Sequence, residues 1–377
     1  MSIPEKPEIY SPGLEGVIAG ETAISTVVGG LRYRGYPVVE LVEHASFEEV
    51  AHLLLYGDLP SVTQLRDFKR RLASCEALPA RLGEFLTNVP ANVVPMDVVR
   101  SAVSMLAHDD PDVEDSSHAA ELRKSERLLA QIPQIIAMFE RGRRRAPFVP
   151  PHPDLGLAGN LLYQIRGATP SEFERKAFDV SLILYAEHEF NASTFTARVI
   201  ASTESDLHSS ITGAIGALKG ALHGGANEKV MDILLATGGP DQAEKWIREA
   251  LAKKVKVMGF GHRIYKTGDI RARVLKDWAR QAADKTGNSK WEEAAEIIEQ
   301  VMAKEKNLFP NLDWPAGRLY HSLGLDVSLY TPFFVASRIT GWCAHVMEQR
   351  SHNRLIRPKA RYTGPDEKRV VDLLRRG

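Results

Sequence analysis

Polar residues that cap helices recur ahead of stretches whose apolar positions fall three and four apart. Ser46-x-x-Glu49 opens such a stretch, which stops at Gly57 and Pro60, and Ser61-x-x-Gln64 opens the next. The same start signal stands at Ser171-x-x-Glu174, Asp241-x-x-Glu244 and Ser289-x-x-Glu292. The last two precede Trp246, Ile247, Ala250 and Leu251, and Trp291, Ala295, Ile298 and Val301, each set fitting one helix face. Thr331-Pro332 predicts a further start, with a cap and a first-turn proline ahead of Phe334, Ile339, Trp342 and Val346. Alternating β-branched runs are scarce, the best being Gly30 to Val39 and Lys254 to Val257. The fold class is therefore mostly α. The basic run Arg141 to Arg145, followed by Pro147, Pro150, Pro151 and Pro153, reads as a helix end and a solvated connector.

A chain of 377 residues exceeds what one core usually holds, so two packed parts are expected. Lysine plus arginine and aspartate plus glutamate both number 48, which leaves no basic excess to draw nucleic acid or an anionic membrane. A small-molecule partner fits that balance better. Cys75 and Cys343 lie far apart and outside any CxxC spacing, so neither a disulfide framework nor a cysteine zinc site is expected. The first residues lack the basic and apolar regions of a signal peptide, and the apolar runs fall short of the roughly 20 residues a membrane helix needs. A cytoplasmic protein is expected.

Two histidines sit among glycines, in Leu222-His223-Gly224-Gly225-Ala226-Asn227-Glu228 and in Gly259-Phe260-Gly261-His262-Arg263. Glycine lets backbone approach a ligand, and a helix beginning after Gly225 would aim free N–H groups at an anion beside His223. A single His-Gly pair reads more readily as an ordinary loop turn with a solvated imidazole; two such pairs with Arg271 close behind point to a site. Asp313, between Leu312 and Trp314-Pro315, is either a desolvated base or a helix N-cap. Arg271, Arg338 and Arg357 stand in apolar or proline-bounded settings. Their guanidinium forks suit a multiply anionic substrate, although each alone reads as a surface ion pair. No metal is expected, because Glu187-His188-Glu189 lacks the second histidine of HExxH and neither glycine-flanked histidine has a carboxylate at ligand spacing. Asn191-Ala192-Ser193 fits a glycosylation sequon, which a chain without a signal peptide would not use.

These segments occur in the order seen in citrate synthases: LKGALHGGANE, MGFGHRIYK, NLDW, TPFFVASRITGWCAHVMEQR and NRLIRPKARY. EHEFNAST, GLEGVIAGETAIS and LRYRGY extend the resemblance over nearly the whole chain. It implies a two-domain helical homodimer, with residues 1–222 and 325–377 in a large domain and 223–324 in a small one that closes over it. It implies a catalytic triad of His223, His262 and Asp313. His188, Arg271 and Arg338 would hold oxaloacetate, with Arg357 reaching across the dimer interface. Val257, Met258, Gly259, Phe260 and Gly261 resemble the loop that holds the CoA adenine; Lys266 would contact CoA phosphates and Asn311 the thioester arm. Acetyl-CoA is then a substrate, and no cofactor is needed.

The implied chemistry condenses an acyl-CoA with oxaloacetate and hydrolyses the citryl-CoA. An aspartate with an ordinary pKa near ~3.9 is too weak to deprotonate a thioester methyl unaided. A neutral His223 would therefore stabilise the enolate oxygen while His262 polarises the oxaloacetate carbonyl. Where many relatives continue Phe-Tyr-Ser after the aspartate, this chain reads Trp314-Pro315-Ala316-Gly317, which leaves the acyl pocket open to question. A 2-methylcitrate synthase using propionyl-CoA is the nearest rival, one methylene being worth about 1–3 kcal/mol. A citryl-CoA lyase and a non-catalytic helical binding protein are the others, and loss of His223, His262 or Asp313 would mark the last. No NADH-controlled site is expected.

Overall fold

The computed structural model describes residues 10–262, 265 and 268–376. Near its N-terminus three short antiparallel strands, β1 (Ser25–Thr26), β2 (Arg32–Tyr33) and β3 (Tyr36–Pro37), form one small sheet in that order. Tyr33 pairs with Tyr36 across Arg34-Gly35, both at positive φ (49° and 92°), the twist a two-residue hairpin needs. The expected strand region at Gly30 to Val39 thus supplies β2 and β3, and β1 is an addition.

The rest is helical. The first eight helices are α1 (Val38–His44), α2 (Phe47–Tyr56), α3 (Val62–Ser74), α4 (Ala80–Asn88), α5 (Pro95–Leu106), α6 (His118–Arg143), α7 (Gly156–Arg166) and α8 (Glu172–Tyr185). They continue with α9 (Ala192–Ala201), α10 (Leu207–Leu218), α11 (Ala226–Thr237), α12 (Pro240–Ala252), α13 (Ile270–Thr286), α14 (Ser289–Lys306), α15 (Asp313–Ser322) and α16 (Tyr330–Ser351). The capping boxes at Ser46/Glu49, Ser61/Gln64 and Ser171/Glu174 form as expected, each satisfying two otherwise orphaned donors. α2 ends on Gly57 in the left-handed region, and α6 ends at Arg143 inside the basic run.

Four local expectations are corrected. α12 starts at Pro240 with Gly239 at the cap, so Asp241 lies inside the first turn, where its charge still suits the helix dipole. α14 starts at Ser289 itself, whose Oγ bonds Asp284 rather than capping. α16 starts at Tyr330 and not after Thr331, because a 3-10 turn capped by Asp326 (Val327–Leu329) leads directly into it. Pro332 then falls in the first turn, where its missing N–H costs nothing. Lys254 to Val257 is no strand. Lys254 adopts φ 55°, its N–H bonds Leu251 O and the Val255 N–H bonds Ala250 O, so the run is spent ending α12.

α16 is the axis of the fold. Every residue from Tyr330 to Met347 is buried, and it packs against α2, α5, α6, α8, α9 and α10. A helix buried on every face must be enclosed by other helices, and its buried Ser337, Arg338, Thr340 and His345 must find partners there. Truncating fully buried Trp342 to alanine would cost about 3–5 kcal/mol. α11 to α15 pack mainly on one another, with α13 and α15 also meeting α8 and α11 meeting α16. The seams between these two groups of helices are where the chemistry-bearing loops emerge.

Candidate active site

A cavity of about 930 Å³ opens where the loop after α8, the turn before α11, the segment before α13, the start of α15 and the side of α16 converge. His188, His223, His262 and Asp313 all line it, as do Arg271 and Arg338. So do Val257 to Gly261 and Asn311. Arg357 does not: it is exposed on the segment after α16. Lys266 lies outside the described residues.

His223 sits in a tight turn ahead of α11. A Cβ on Gly224 would come 2.6 Å from Leu218 Cγ and 2.7 Å from Leu218 O, so glycine is required beside the histidine. Nε2 accepts the Ser193 backbone N–H (3.3 Å) from the first turn of α9 and lies 2.8 Å from Ser193 Oγ. The ring proton is therefore on Nδ1. Burial, with Arg338 adding, pushes the imidazole down to about 4, so it is neutral near pH 7. A neutral donor is what a developing oxyanion needs.

His262 is fixed the other way round. Its Nδ1 accepts the Tyr265 N–H at 3.3 Å, which leaves the proton on Nε2, and its ring stacks on Tyr265 at 4.6 Å. His188 lies 5.1 Å from His262, centroid to centroid, with Nε2 3.0 Å from the Tyr265 hydroxyl. Burial holds His188 well below the ordinary imidazole range, and Arg271, His262 and Arg338 add to this. The loop after it is strained, Glu189 being left-handed at φ 50°.

Asp313 is not an N-cap. Leu312 holds that position, and Asp313 opens α15 with its N–H on Asn311 Oδ1 at 3.1 Å. Burial pushes the carboxyl up to about 6, against the Tyr185 hydroxyl, which donates to Oδ1 at 2.7 Å. Of the two sequence readings the N-cap is set aside, and the carboxyl is desolvated. Asn311 also ties the neighbouring loop in place, its side chain donating to Gly261 O and its N–H to Gly259 O.

The two arginines are buried and differently held. Asp269 grips Arg271 through Nε (3.1 Å) and Nη2 (2.8 Å); burial works against the cation, and Asp269 more than offsets it. Arg338 donates from Nε to Tyr185 O at 2.6 Å, while Nη1 has no partner. Burial lowers its pKa to about 10, against the pull of Glu187. Arg338 lines the cavity, and a guanidinium nitrogen there is a hydrogen-bond donor suited to a carboxylate. Among the described residues no cluster of three or more histidine, cysteine, aspartate or glutamate side chains is placed to hold a metal ion, and no helix is long and apolar enough to cross a membrane.

The family model for the citrate synthase C-terminal domain matches residues 13–359. The chain belongs to the citrate synthase family. Members of this family are enzymes that transfer acyl groups by condensation, with a CoA thioester as substrate and no cofactor. Citrate synthase 2 of Bacillus subtilis is 47% identical over 363 residues, covering 96% of this chain and 98% of its own. A 2-methylcitrate synthase of Mycobacterium tuberculosis is 45% identical over 370 residues, covering 97% and 93%. Among solved citrate synthases, that of Thermoplasma acidophilum in ternary complex with carboxymethyl coenzyme A and oxaloacetate superposes with a TM-score of 0.93 at 33% identity, covering 98% of this chain and all of that one.

The sequence did not reveal Tyr185, Ser193, Tyr265 or Asp269 as parts of this candidate site. Asp269 had a legible signal, standing two residues before Arg271 as the N-cap of α13. Ser193 was legible as part of a sequon and of the EHEFNAST segment, with no role given to it; in the fold Asn191 caps α9 and Ser193 turns inward to His223.

Proposed function

We propose that this chain is a citrate synthase that condenses acetyl-CoA with oxaloacetate and water to give citrate and CoA. The observation that carries this is one cavity wall holding a carboxyl raised to about 6 and two imidazoles whose ring protons are placed by backbone donors. Asp313 takes a proton from the acetyl methyl group while the Nδ1–H of His223 donates to the thioester oxygen, giving an enol(ate). His262, donating from Nε2, polarises the oxaloacetate carbonyl. Arg271, Arg338 and His188 fix the substrate's carboxylates, and the new carbon–carbon bond gives citryl-CoA. Water then cleaves the thioester.

The backbone of Val257 to Gly261 would meet the CoA adenine, Lys266 its phosphates and Asn311 the thioester arm. Residues 223–324 would form the small domain, closing on the large one to exclude water while the enolate exists. The packing of α11 to α15 chiefly on one another supports that division. Arg357, exposed in the single chain, would complete a second subunit's cavity in a homodimer. We place the activity in the cytoplasm, within the tricarboxylic acid cycle.

The test is paired kcat/KM values for acetyl-CoA and propionyl-CoA with oxaloacetate, read as free thiol. Acetyl-CoA should be preferred. A propionyl preference beyond tenfold turns the assignment to 2-methylcitrate synthase, a reading that relatives of that name at 45% identity favour. No thiol release with either would leave a helical binding protein. Oxaloacetate should also shrink the radius of gyration in small-angle scattering, and an unchanged radius would reject closure.

A further inference from the structure

Tyr185 ends α8, a different helix from the one that carries Asp313, and it is buried at 2% exposure. Its hydroxyl meets one carboxylate oxygen of Asp313, Oδ1, at 2.7 Å. Its ring lies 4.2 Å from that of Phe334, which itself stands edge-on to His223 at 6.2 Å. Its carbonyl receives Arg338 Nε. One residue thus touches the proposed base, the proposed oxaloacetate clamp and the wall behind the proposed enolate donor.

We infer that Tyr185 is a positioning residue for the carboxylate of Asp313: by donating to Oδ1 it turns Oδ2 toward the acyl group and holds the base in its ionised form. This rests on the condensing reading above. Asp313 has its own N–H bond to Asn311, but among the side-chain hydrogen bonds found to its carboxylate the one from Tyr185 is a directed donor that crosses from another helix. The phenol is an O–H donor only while protonated. Burial first, and then the charge on Asp313, keep it so by raising its pKa well above the usual value.

The other charges facing Asp313 do not replace that donor. Arg271 and Arg338 lower the carboxyl's pKa through space, and Asp269 raises it. Arg271 is committed to Asp269 and Arg338 to the Tyr185 carbonyl. His188, Glu189 and Lys256 also line the cavity, and Tyr320 feels the charge of Asp313 through space; His223 and His262, on the same wall, are oriented by Ser193 and Tyr265. Without the hydroxyl, the carboxylate loses the group that, among the described residues, both orients it and favours its charge. Its pKa then rises, and a base that works ionised is lost at a higher pH.

The experiment is Tyr185→Phe, which keeps the ring and removes the donor, assayed for kcat/KM of acetyl-CoA across pH 5 to 9. The acidic limb should move up by about one pH unit, and kcat should fall more than the KM for oxaloacetate changes. Site-specific 3-fluorotyrosine at 185, a stronger donor, should move the limb down. A role in packing alone would lower activity equally at every pH and leave both limbs in place, which would overturn the inference. Infrared titration of the carboxyl, taken as the difference between each protein and its Asp313→Asn counterpart, reads the same shift without turnover. If neither acyl-CoA is consumed, the proposed function falls while this titration still decides the role of Tyr185; an unshifted carboxyl would reject that role by itself.

Discussion

His345 Nε2 lies 2.9 Å from Glu187 Oε1, with both side chains wholly buried. On the other side of the ring, Arg198 Nη1 faces Nδ1 at 2.9 Å. A guanidinium only donates, so Nδ1 accepts and the proton sits on Nε2, donating to an ionised Glu187. Ser25 Oγ donates to the same carboxylate oxygen at 3.0 Å and receives the Glu189 N–H, which pins β1 to the loop that carries His188. The carboxylate also faces Arg338, whose charge it opposes inside the core.

Glu187→Gln should therefore destabilise the protein by about 3 kcal/mol or more near pH 7, since it leaves buried Arg338 without its opposing charge. Burial works to raise the Glu187 pKa, but His345, Arg338 and Ser25 outweigh it and hold it below the ordinary 4.5. A depressed carboxylate stabilises fully above its unfolded value and less as pH falls through its folded one. The gap between wild type and variant in urea denaturation should be constant above pH 5 and narrow below 4.5. A constant gap down to pH 3 would refute this account.

Asp269→Asn should loosen Arg271 without removing it, because the neutral amide keeps one acceptor for the guanidinium and replaces the other with a donor. The KM for oxaloacetate should rise about tenfold, from misplacement of the guanidinium, with a smaller change in kcat. Steady-state kinetics at saturating acyl-CoA check it. An unchanged KM would show that the clamp holds its place without its carboxylate.

Asp313→Asn keeps an acceptor for Tyr185 and removes the base. The turnover number should fall by about two to four orders of magnitude. Calorimetric binding of oxaloacetate should stay within a few-fold, since Arg271 and Arg338 keep their partners. Loss of binding in parallel with turnover would mean that the aspartate holds the substrate rather than reacting with it.

Much of this site was legible because its chemistry lies in short runs. His223 and His262 stand among glycines that their turns require, and Gly259, at φ 86°, would place a Cβ 2.8 Å from Trp314. The helical class was legible from caps that form as written at Ser46, Ser61 and Ser171. What failed was local competition. A cap-like Asp241 lost to Pro240, and the β-branched run at Val255 lost to the closing bonds of α12. The roles of Tyr185 and Ser193 were not legible because they act on residues 128 and 30 positions away, through packing that no spacing encodes, and that of Tyr265 because it works through a backbone N–H, which every residue type but proline carries.

Asp179 offers a test of burial remote from chemistry. It sits on α8, accepts the Phe47 N–H at the start of α2 (3.1 Å), and has Lys176, 3.9 Å away, as a paired cation, with Lys69 acting through space. Burial, with Glu48 adding its charge, pushes the carboxyl up to about 7 from 3.8. The folded state then holds a proton that the unfolded state has lost between those two values, so the contribution of Asp179 to stability falls as pH rises through that window. Asparagine retains the acceptor for Phe47 and carries no charge to desolvate. Asp179→Asn should therefore gain on wild type as pH rises, by about 2 kcal/mol between pH 5 and pH 8, read from urea midpoints at fixed ionic strength. If the variant's advantage shrank over that range, the carboxyl would have to be ionised and compensated in the folded protein, and Lys176 would be the group compensating it.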